Sequence, residues 1–424
     1  LKQVRPFIGN KRKLHQAAFR VLEACNFPIE GFKPKDLDTT LKENINTRSS
    51  SGFPLFARKG KVLEEMKQQA LKVIEGVGNY TFNWPMTRGF RLQVRESNAQ
   101  VSLKVRVMYP FPGAITLIEA MFGAPFITHF INTDTFYTIG KTGGQLAQSM
   151  KKRFKFAHKK GFGTDVKSFD QSVQPELILM AFAILKFSLT LTPRESQLFD
   201  KMVLYFICAP MVSPDMNGKM TSFIKIFGIP SGSFFTNILD TLSQGIAIEF
   251  AHPGILDNAL LCGDDNLFFP GDGFHFSEFV SILSNEFGLV VSSEKSKFFT
   301  SLSSVFYLGF NWLHGIRQVS PLLVINQLLW HDDFITDLST YDREVSRAAS
   351  VLFNGANGKH IFAELFPDVM RMLDSNIEVK YSYISSSGPP PTLPVLTGEL
   401  SVKDSKAQAN LSLREHLTNG WFIR

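Results

Sequence analysis

The stretch LLCGDDNLFF, residues 260–269, constrains the fold more than any other part of the chain. Apolar residues flank Gly263-Asp264-Asp265 on both sides, so two short buried strands joined by a tight turn are expected. Such a hairpin presents two adjacent carboxylates at one defined point. A solvent-facing turn explains them simply. A bound cation explains them too, and hard oxygen ligands held this way suit Mg2+ or Mn2+. The tripeptide arises by chance in roughly one such chain in ten, so it needs partners elsewhere before it implies chemistry.

TDVKSFDQSV offers the first partner. Asp165 follows a predicted strand, and Asp170 lies five residues on, where the chain turns into a long apolar helix opened by Pro175. Helping to start that helix is the plainer role for Asp170. PSGSFFTNILD offers the second. In helical register Thr236, Asp240 and Ser243 share one face, with Ser233 and Asn237 beside them and Phe235, Leu239, Leu242 and Ile246 opposite. A polar stripe on so apolar a helix must face water, a partner or a ligand. Ser231 and Gly232 ahead of it form a loop that lets a substrate backbone approach closely, with a serine N-cap as the simpler alternative.

The rest of the chain alternates strands and helices without regular βαβ spacing, which favours an α+β fold. FRLQVRESNAQVSLKVRVMYPF reads as two strands around a polar turn, with Lys104 and Arg106 on one face of the second. A hairpin around Asn217-Gly218, a helix over 274–287 and a strand-like SVFYLGFNWL follow. Beyond 320 the pattern is mostly helical, until SSSGPPPTLPV forms an extended tract.

Residues 1–160 hold 27 Lys and Arg against 11 Asp and Glu, whereas the remainder holds 18 against 27. A basic front half fits a polyanionic partner, and the acidic remainder fits metal ions, although solvated surface would look similar. Cys25, Cys208 and Cys262 are too scattered for a disulfide framework or a metal motif, so a reducing compartment is expected. LILMAFAILKFSLTLT is interrupted by Lys186 and is short for a membrane span. The N-terminus lacks a secretory apolar region, and the start at Leu1 leaves a fragment or a processed product open.

Taken in order, the three acidic and Ser-Gly elements resemble the palm motifs of viral RNA-directed RNA polymerases. Motif A there is an Asp, four residues and a second Asp; motif B is Ser-Gly-x-x-x-Thr; motif C is Gly-Asp-Asp. DVKSFDQSV with GIPSGSFFTNILDT is most similar to the partitivirus and picobirnavirus group of double-stranded RNA viruses. SSSGFP resembles motif G, LKVRV motif F, SSEKS motif D and FYLGFNW motif E.

The resemblance implies a right-hand polymerase fold: fingers, a palm of antiparallel sheet with packed helices, and a helical thumb. Residues 1–160 become fingers with an N-terminal extension, 161–190 palm, 191–228 a fingers insertion, 229–315 palm, and 316–424 thumb and tail. It implies that Asp165, Asp264 and Asp265 hold two Mg2+ or Mn2+ ions. Lys295 becomes the general acid, with Lys297 as the alternative by a two-residue shift. Lys104, Arg106, Asp170, Ser231, Gly232, Thr236, Asn237 and Asp240 would bind the nucleotide, and Ser51, Gly52 and Pro54 the template.

The implied partners are an RNA template and nascent strand and ribonucleoside triphosphates. The setting is the host cytoplasm inside the viral particle, with a viral capsid protein as neighbour. A reverse transcriptase shares the palm and paired Asp, but usually carries Tyr or Phe where Asp170 stands. A catalytically silent RNA-binding protein on the same scaffold would have lost Asp165, Asp264 or Asp265. One departure stands out: motif B commonly has Asn where this chain has Asp240. Beside Asp170, a second carboxylate must be protonated or bonded to a neutral donor such as Thr236. Asn237 offers an amide, but about 100° around the helix.

Overall fold

The computed structural model describes residues 7, 9–47, 49–77, 82–97, 100–157, 160–214, 219–313 and 316–318. The region read as thumb and tail therefore lies outside the described residues, apart from 316–318. The chain divides into two compact units. One comprises residues 1–90, 107–139 and 153–298, and the other 91–106, 140–152 and 299–424.

The first unit begins with α1 (Lys11–Ala24), α2 (Leu37–Glu43) and α3 (Leu63–Glu75). Strand β1 (Met86–Thr87) leads to the hairpin of β2 (Gly89–Ser97) and β3 (Gln100–Met108), whose outer residues 91–106 belong to the second unit. Then come α4 (Gly113–Asn132), α5 (Gly143–Phe156), whose residues 143–152 belong to the second unit, β4 (Gly161–Gly163), the short α6 (Phe169–Ser172), α7 (Pro175–Phe187) and α8 (Pro193–Cys208). The hairpin β5 (Pro210–Pro214) and β6 (Met220–Ile224) precedes α9 (Thr236–Ala251). Strands β7 (Ala259–Cys262) and β8 (Asp265–Phe268), α10 (Phe276–Phe287) and β9 (Lys297–Phe299) complete it.

Helix α9 is the axis of the core. Phe235, Leu239, Leu242 and Ile246 are all fully buried, as the apolar side of the predicted stripe requires. The helix packs against α1, α7 and α10. Helix α1 turns Leu14, Ala17, Ala18 and Val21 inward, the spacing of one helical face. Its Arg20 pairs with Glu249, a carboxylate buried on α9 that also accepts the Gly254 amide at 2.6 Å. A charge buried so deeply is tolerable only with such partners.

The four-stranded sheet runs in the order β7-β8-β4-β9. Phe162 of β4 anchors it, with its ring 4.9 Å from both Phe268 and Phe274 and 5.4 Å from Phe276. Here the chain's many phenylalanines have a use: offset and edge contacts fill the layer between sheet and α10.

Among the described residues one helix, α4, could by length and composition cross a membrane. It is not the 177–192 stretch singled out from the sequence. Two-thirds of its apolar window is buried, and Glu119 sits in its middle, so a core position accounts for its composition.

In the second unit, SVFYLGFNWL is a hairpin where the sequence suggests one strand. Strands β10 (Val305–Tyr307) and β11 (Phe310–Leu313) pair antiparallel around Leu308-Gly309, both at positive φ, and β12 (Ile316–Gln318) adds a third strand. Two left-handed residues in succession make the turn that a two-residue hairpin needs.

Candidate active site

The register of the four-stranded sheet determines where the carboxylates meet. Cys262 pairs with Asp265, so the turn between β7 and β8 is only Gly263-Asp264. Gly263 has φ +64, the glycine-first pattern of a type II′ hairpin turn. On its other side β8 pairs with β4, Phe162 opposite Phe268. Continued antiparallel, that register sets Thr164 opposite Asn266 and brings Asp165 to the end of the sheet where β8 begins at Asp265. The buried side chain of Asn266 marks its pairing with Thr164: its Oδ1 accepts from the Thr164 amide at 2.7 Å and hydroxyl at 2.8 Å.

Past Thr164 the chain leaves β8 and pairs with the 290–292 segment. Ser292 donates its amide to the Asp165 carbonyl at 2.7 Å, Val166 bridges Val291, and Lys167 donates to the Val290 carbonyl at 2.9 Å. This pairing delivers Lys295, whose Nζ lies 3.1 Å from Asp165 Oδ2. Both side chains are about half exposed, 55% and 42%.

The three carboxylates fit hard divalent cations in ligand chemistry and in their shared end of the sheet. Asp264 and Asp265 are exposed and Asp165 half-buried. Among the described residues no three Asp, Glu, His or Cys side chains are already gathered into a metal cage.

The turn is carried from below by α9. Thr241 Oγ1 accepts the Gly263 amide at 2.8 Å, and Gln244 Nε2 donates to the Asp264 carbonyl at 3.0 Å. Thr241 in turn donates to the Asn237 carbonyl at 2.7 Å. The Asn237 amide oxygen accepts the Tyr137 hydroxyl, and its Nδ2 lies 3.1 Å from where a Cβ on Gly263 would stand. Asn237, Thr241 and Gln244 thus form a second polar face, spaced i, i+4, i+7. Sequence reasoning noticed Asn237 and missed the other two, although the spacing was there.

Asp240 lies on the neighbouring face, 5% exposed, and its Oδ1 has no hydrogen-bond partner. Burial first, then the charges of Asp170 and Asp264, push its pKa well above the ordinary carboxylate range. Burial and the Asp170 charge both favour the neutral form. Thr236 does not relieve the repulsion with Asp170: its hydroxyl donates to the carbonyls of Pro230 at 2.7 Å and Ser233 at 2.8 Å. A neutral carboxyl carries an O–H donor, so Asp240 can present a donor where an amide would. Ser243, also buried, has an unpaired Oγ.

Asp170 joins the Ser-Gly loop through its backbone, its carbonyl accepting the Ile229 amide at 2.6 Å. Ser231 Oγ accepts the Tyr109 amide at 3.1 Å. A Cβ on Gly232 would collide with the Tyr109 carbonyl oxygen and lie 2.8 Å from the Phe111 nitrogen. This glycine is therefore required by the protein's own backbone, a tighter reason than the approach of a substrate. Ser51 is fully buried, bonded to Ala57 through its amide and its Oγ, and Gly52 is buried at φ +59. Of that trio only Pro54 is exposed. Lys104 and Arg106 lie on β3, in a part whose side chains are outside the description.

Residues 34–373 match the family model described as viral RNA-dependent RNA polymerase. An RNA-directed RNA polymerase of Cryptosporidium parvum virus 1 (strain KSU-1) is 27% identical over 396 residues, covering 83% of this chain and 71% of the relative. Among solved structures, the RNA-dependent RNA polymerase of a human picobirnavirus aligns with a TM-score of 0.64 at 19% identity, covering 97% of this chain and 81% of that one. The sicinivirus 3Dpol polymerase aligns with a TM-score of 0.66 at 15% identity, covering 98% and 87%. The fold is thus that of the right-hand polymerases. With four-fifths of its length inside the family model, from the Ser51–Pro54 loop past Lys295, the chain belongs to the viral RNA-dependent RNA polymerases.

Proposed function

We propose that this polymerase copies viral RNA by nucleotidyl transfer from ribonucleoside triphosphates, with Asp165, Asp264 and Asp265 holding two Mg2+ or Mn2+ ions, in both genome replication and transcription. The observation that carries the reading is that β4, which ends two residues before Asp165, pairs antiparallel with β8, whose first residue is Asp265 and whose preceding turn holds Asp264. Bound divalent ions supply a lowered pKa for the attacking 3′-hydroxyl and neutralise charge on the leaving pyrophosphate.

The chain's own groups do the rest. Lys295 reaches the same end of the sheet and can give a proton to the departing pyrophosphate, leaving its pairing with Asp165 as it does so. Lys104 and Arg106 bind triphosphate oxygens. Asp170 and the neutral acid of Asp240 face the ribose, Asp240 as donor. Ser231, Gly232, Thr236 and Asn237 shape the nucleotide's seat, and the Ser51–Pro54 loop borders the template.

Residues 1–160 and 191–228 serve as fingers, 161–190 and 229–315 as palm, and 316–424 as thumb and tail. The polymerase works in the host cytoplasm inside the particle, next to a capsid protein. Support for that setting comes from the similarity to the polymerase of Cryptosporidium parvum virus 1.

Extension of a defined RNA, with and without primer, in Mg2+ or Mn2+ and with ribo- or deoxynucleotides, tests the reading. Ribonucleotide incorporation that stops on chelation is expected. Preference for deoxynucleotides would overturn it.

A further inference from the structure

The Ser49–Pro54 loop and the Pro230–Thr236 loop are far apart in sequence, yet both are fixed to one continuous segment, Tyr109–Glu119. Five contacts make the join. The Ser51 carbonyl accepts the amide of Gly113, first residue of α4, at 2.7 Å. Gly52 lies so close that a Cβ there would stand 2.6 Å from the Phe111 carbonyl oxygen. From the other side, Ser231 Oγ accepts the Tyr109 amide, and Gly232 packs on the Tyr109 carbonyl. The fifth contact is the buried carboxylate of Glu119, nearly two turns into α4. Its Oε2 accepts the Ser233 hydroxyl and the Phe234 amide, both at 2.8 Å.

Glu119 is fully buried, and its second oxygen, Oε1, has no hydrogen-bond partner. Lys59, itself buried, acts on it electrostatically and closes the circuit to the first loop, since the Lys59 amide donates to the Ser49 carbonyl at 2.9 Å. An acid this deep costs several kcal/mol to ionise without compensation, and a Ser-bound amide oxygen would hold the loop at far lower cost. Two donors, one nearby cation and a rigid helix connecting them point to a role beyond packing.

We propose that Tyr109–Glu119 is a rigid coupler holding the template loop in register with the nucleotide-selecting loop, and that Glu119 is its positioning residue. The inference rests on the polymerase reading for what the two loops contact, but the coupling is a property of the fold alone. Through it, a displaced template strand at Ser51–Pro54 shifts the seat of the incoming nucleotide at Ser231–Thr236.

The test uses the full chain and the variants Glu119→Ala and Glu119→Gln. Steady-state extension on a defined RNA gives KM for the ribonucleotide and kcat, and amide hydrogen exchange is followed in both loops. For Glu119→Ala, KM rises about tenfold with a smaller change in kcat, the signature of a misplaced binding group. Exchange accelerates at 231–236 and also at 49–54. Gln keeps an acceptor for both donors, so KM stays within about twofold of wild type.

Faster exchange confined to 231–236 would overturn the coupling. An unchanged KM in the Ala variant would overturn the positioning role, as would failure of Gln to rescue. If the wild type makes no RNA, the polymerase reading fails while the exchange comparison still decides the coupling. Should the Ala variant not fold, Ser233→Ala removes one of the two donors to Glu119. It should speed exchange in both loops to a smaller extent, and an effect on its own loop only counts against the proposal.

Discussion

Two acidic regions of this polymerase solve opposite problems. At one end of the four-stranded sheet, Asp165 follows β4, Asp264 lies in the β7–β8 turn and Asp265 opens β8, their carboxylates at least partly in water. Inside the molecule, Asp240 and Glu119 are buried, each with one oxygen lacking any hydrogen-bond partner. The exposed set is open to solvent and to a cation. The buried pair is pushed toward the neutral form, Glu119 to about 8, and can act only by hydrogen bonding or by fixing a loop.

The sharpest way to break this comparison is to remove charge from the exposed set. Asp264→Ala and Asp165→Asn should each lower RNA synthesis by about a thousandfold or more, because both would lose a charged metal ligand. RNA binding, measured by filter retention at fixed salt, should stay nearly unchanged. Synthesis surviving in either variant would remove the metal assignment. Lys295→Met comes next, with a loss of about a hundredfold in kcat and a shifted pH profile if it is the general acid. If Lys297→Met shows that loss instead, the two-residue alternative takes the role.

Much of the exposed set was legible in the sequence because its geometry is local. A two-residue turn between apolar strands needs only neighbouring residues, and Pro175 and Gly263 announce their own conformations. The buried set was harder to see. Asp240 could be read as a departure, but its neutralisation depends on burial produced by the whole core around α9. Glu119 stands in a run of apolar residues, and nothing nearby in sequence shows that its partners lie more than a hundred positions later. Asn266 and Thr241 were missed for the same reason, since each bonds across elements that pair only after folding. The apparent single strand at 305–313 was a smaller error: Leu308 at positive φ is a conformation that its side chain does not advertise.

Gly232→Ala probes the contact between loop and coupler. A Cβ there meets backbone at Tyr109 and Phe111, which cannot move aside as a flexible side chain would. Overpacking of this kind costs about 1–3 kcal/mol, so a lower Tm should accompany a rise in nucleotide KM. Gly143→Ala is the control, because nothing lies within 4 Å of a Cβ at that position. If Gly232→Ala keeps both wild-type Tm and wild-type KM, the tight fit at Tyr109 does not constrain the loop.

The smallest expected effect is on the pH dependence of stability, and its sign separates the buried set from the exposed one. Glu119 has its folded pKa raised from 4.5 to about 8, chiefly by burial. Between those values the native state keeps a proton that the unfolded chain releases, so stability falls as pH rises through that window. Lys59 is shifted the other way, from 10.5 to about 8, again chiefly by burial. Between about 8 and 10.5 the unfolded state binds the extra proton, and stability rises with pH. Together the two groups place a minimum in stability near pH 8, with a depth on the order of a few kcal/mol at most. Denaturant unfolding of Glu119→Gln across pH 5–8 should lose the downward slope while keeping the native fold. Lys59→Met should lose the upward limb above pH 8. An undiminished slope in the Gln variant would mean that Glu119 is already ionised throughout that range, its two donors and Lys59 outweighing its burial.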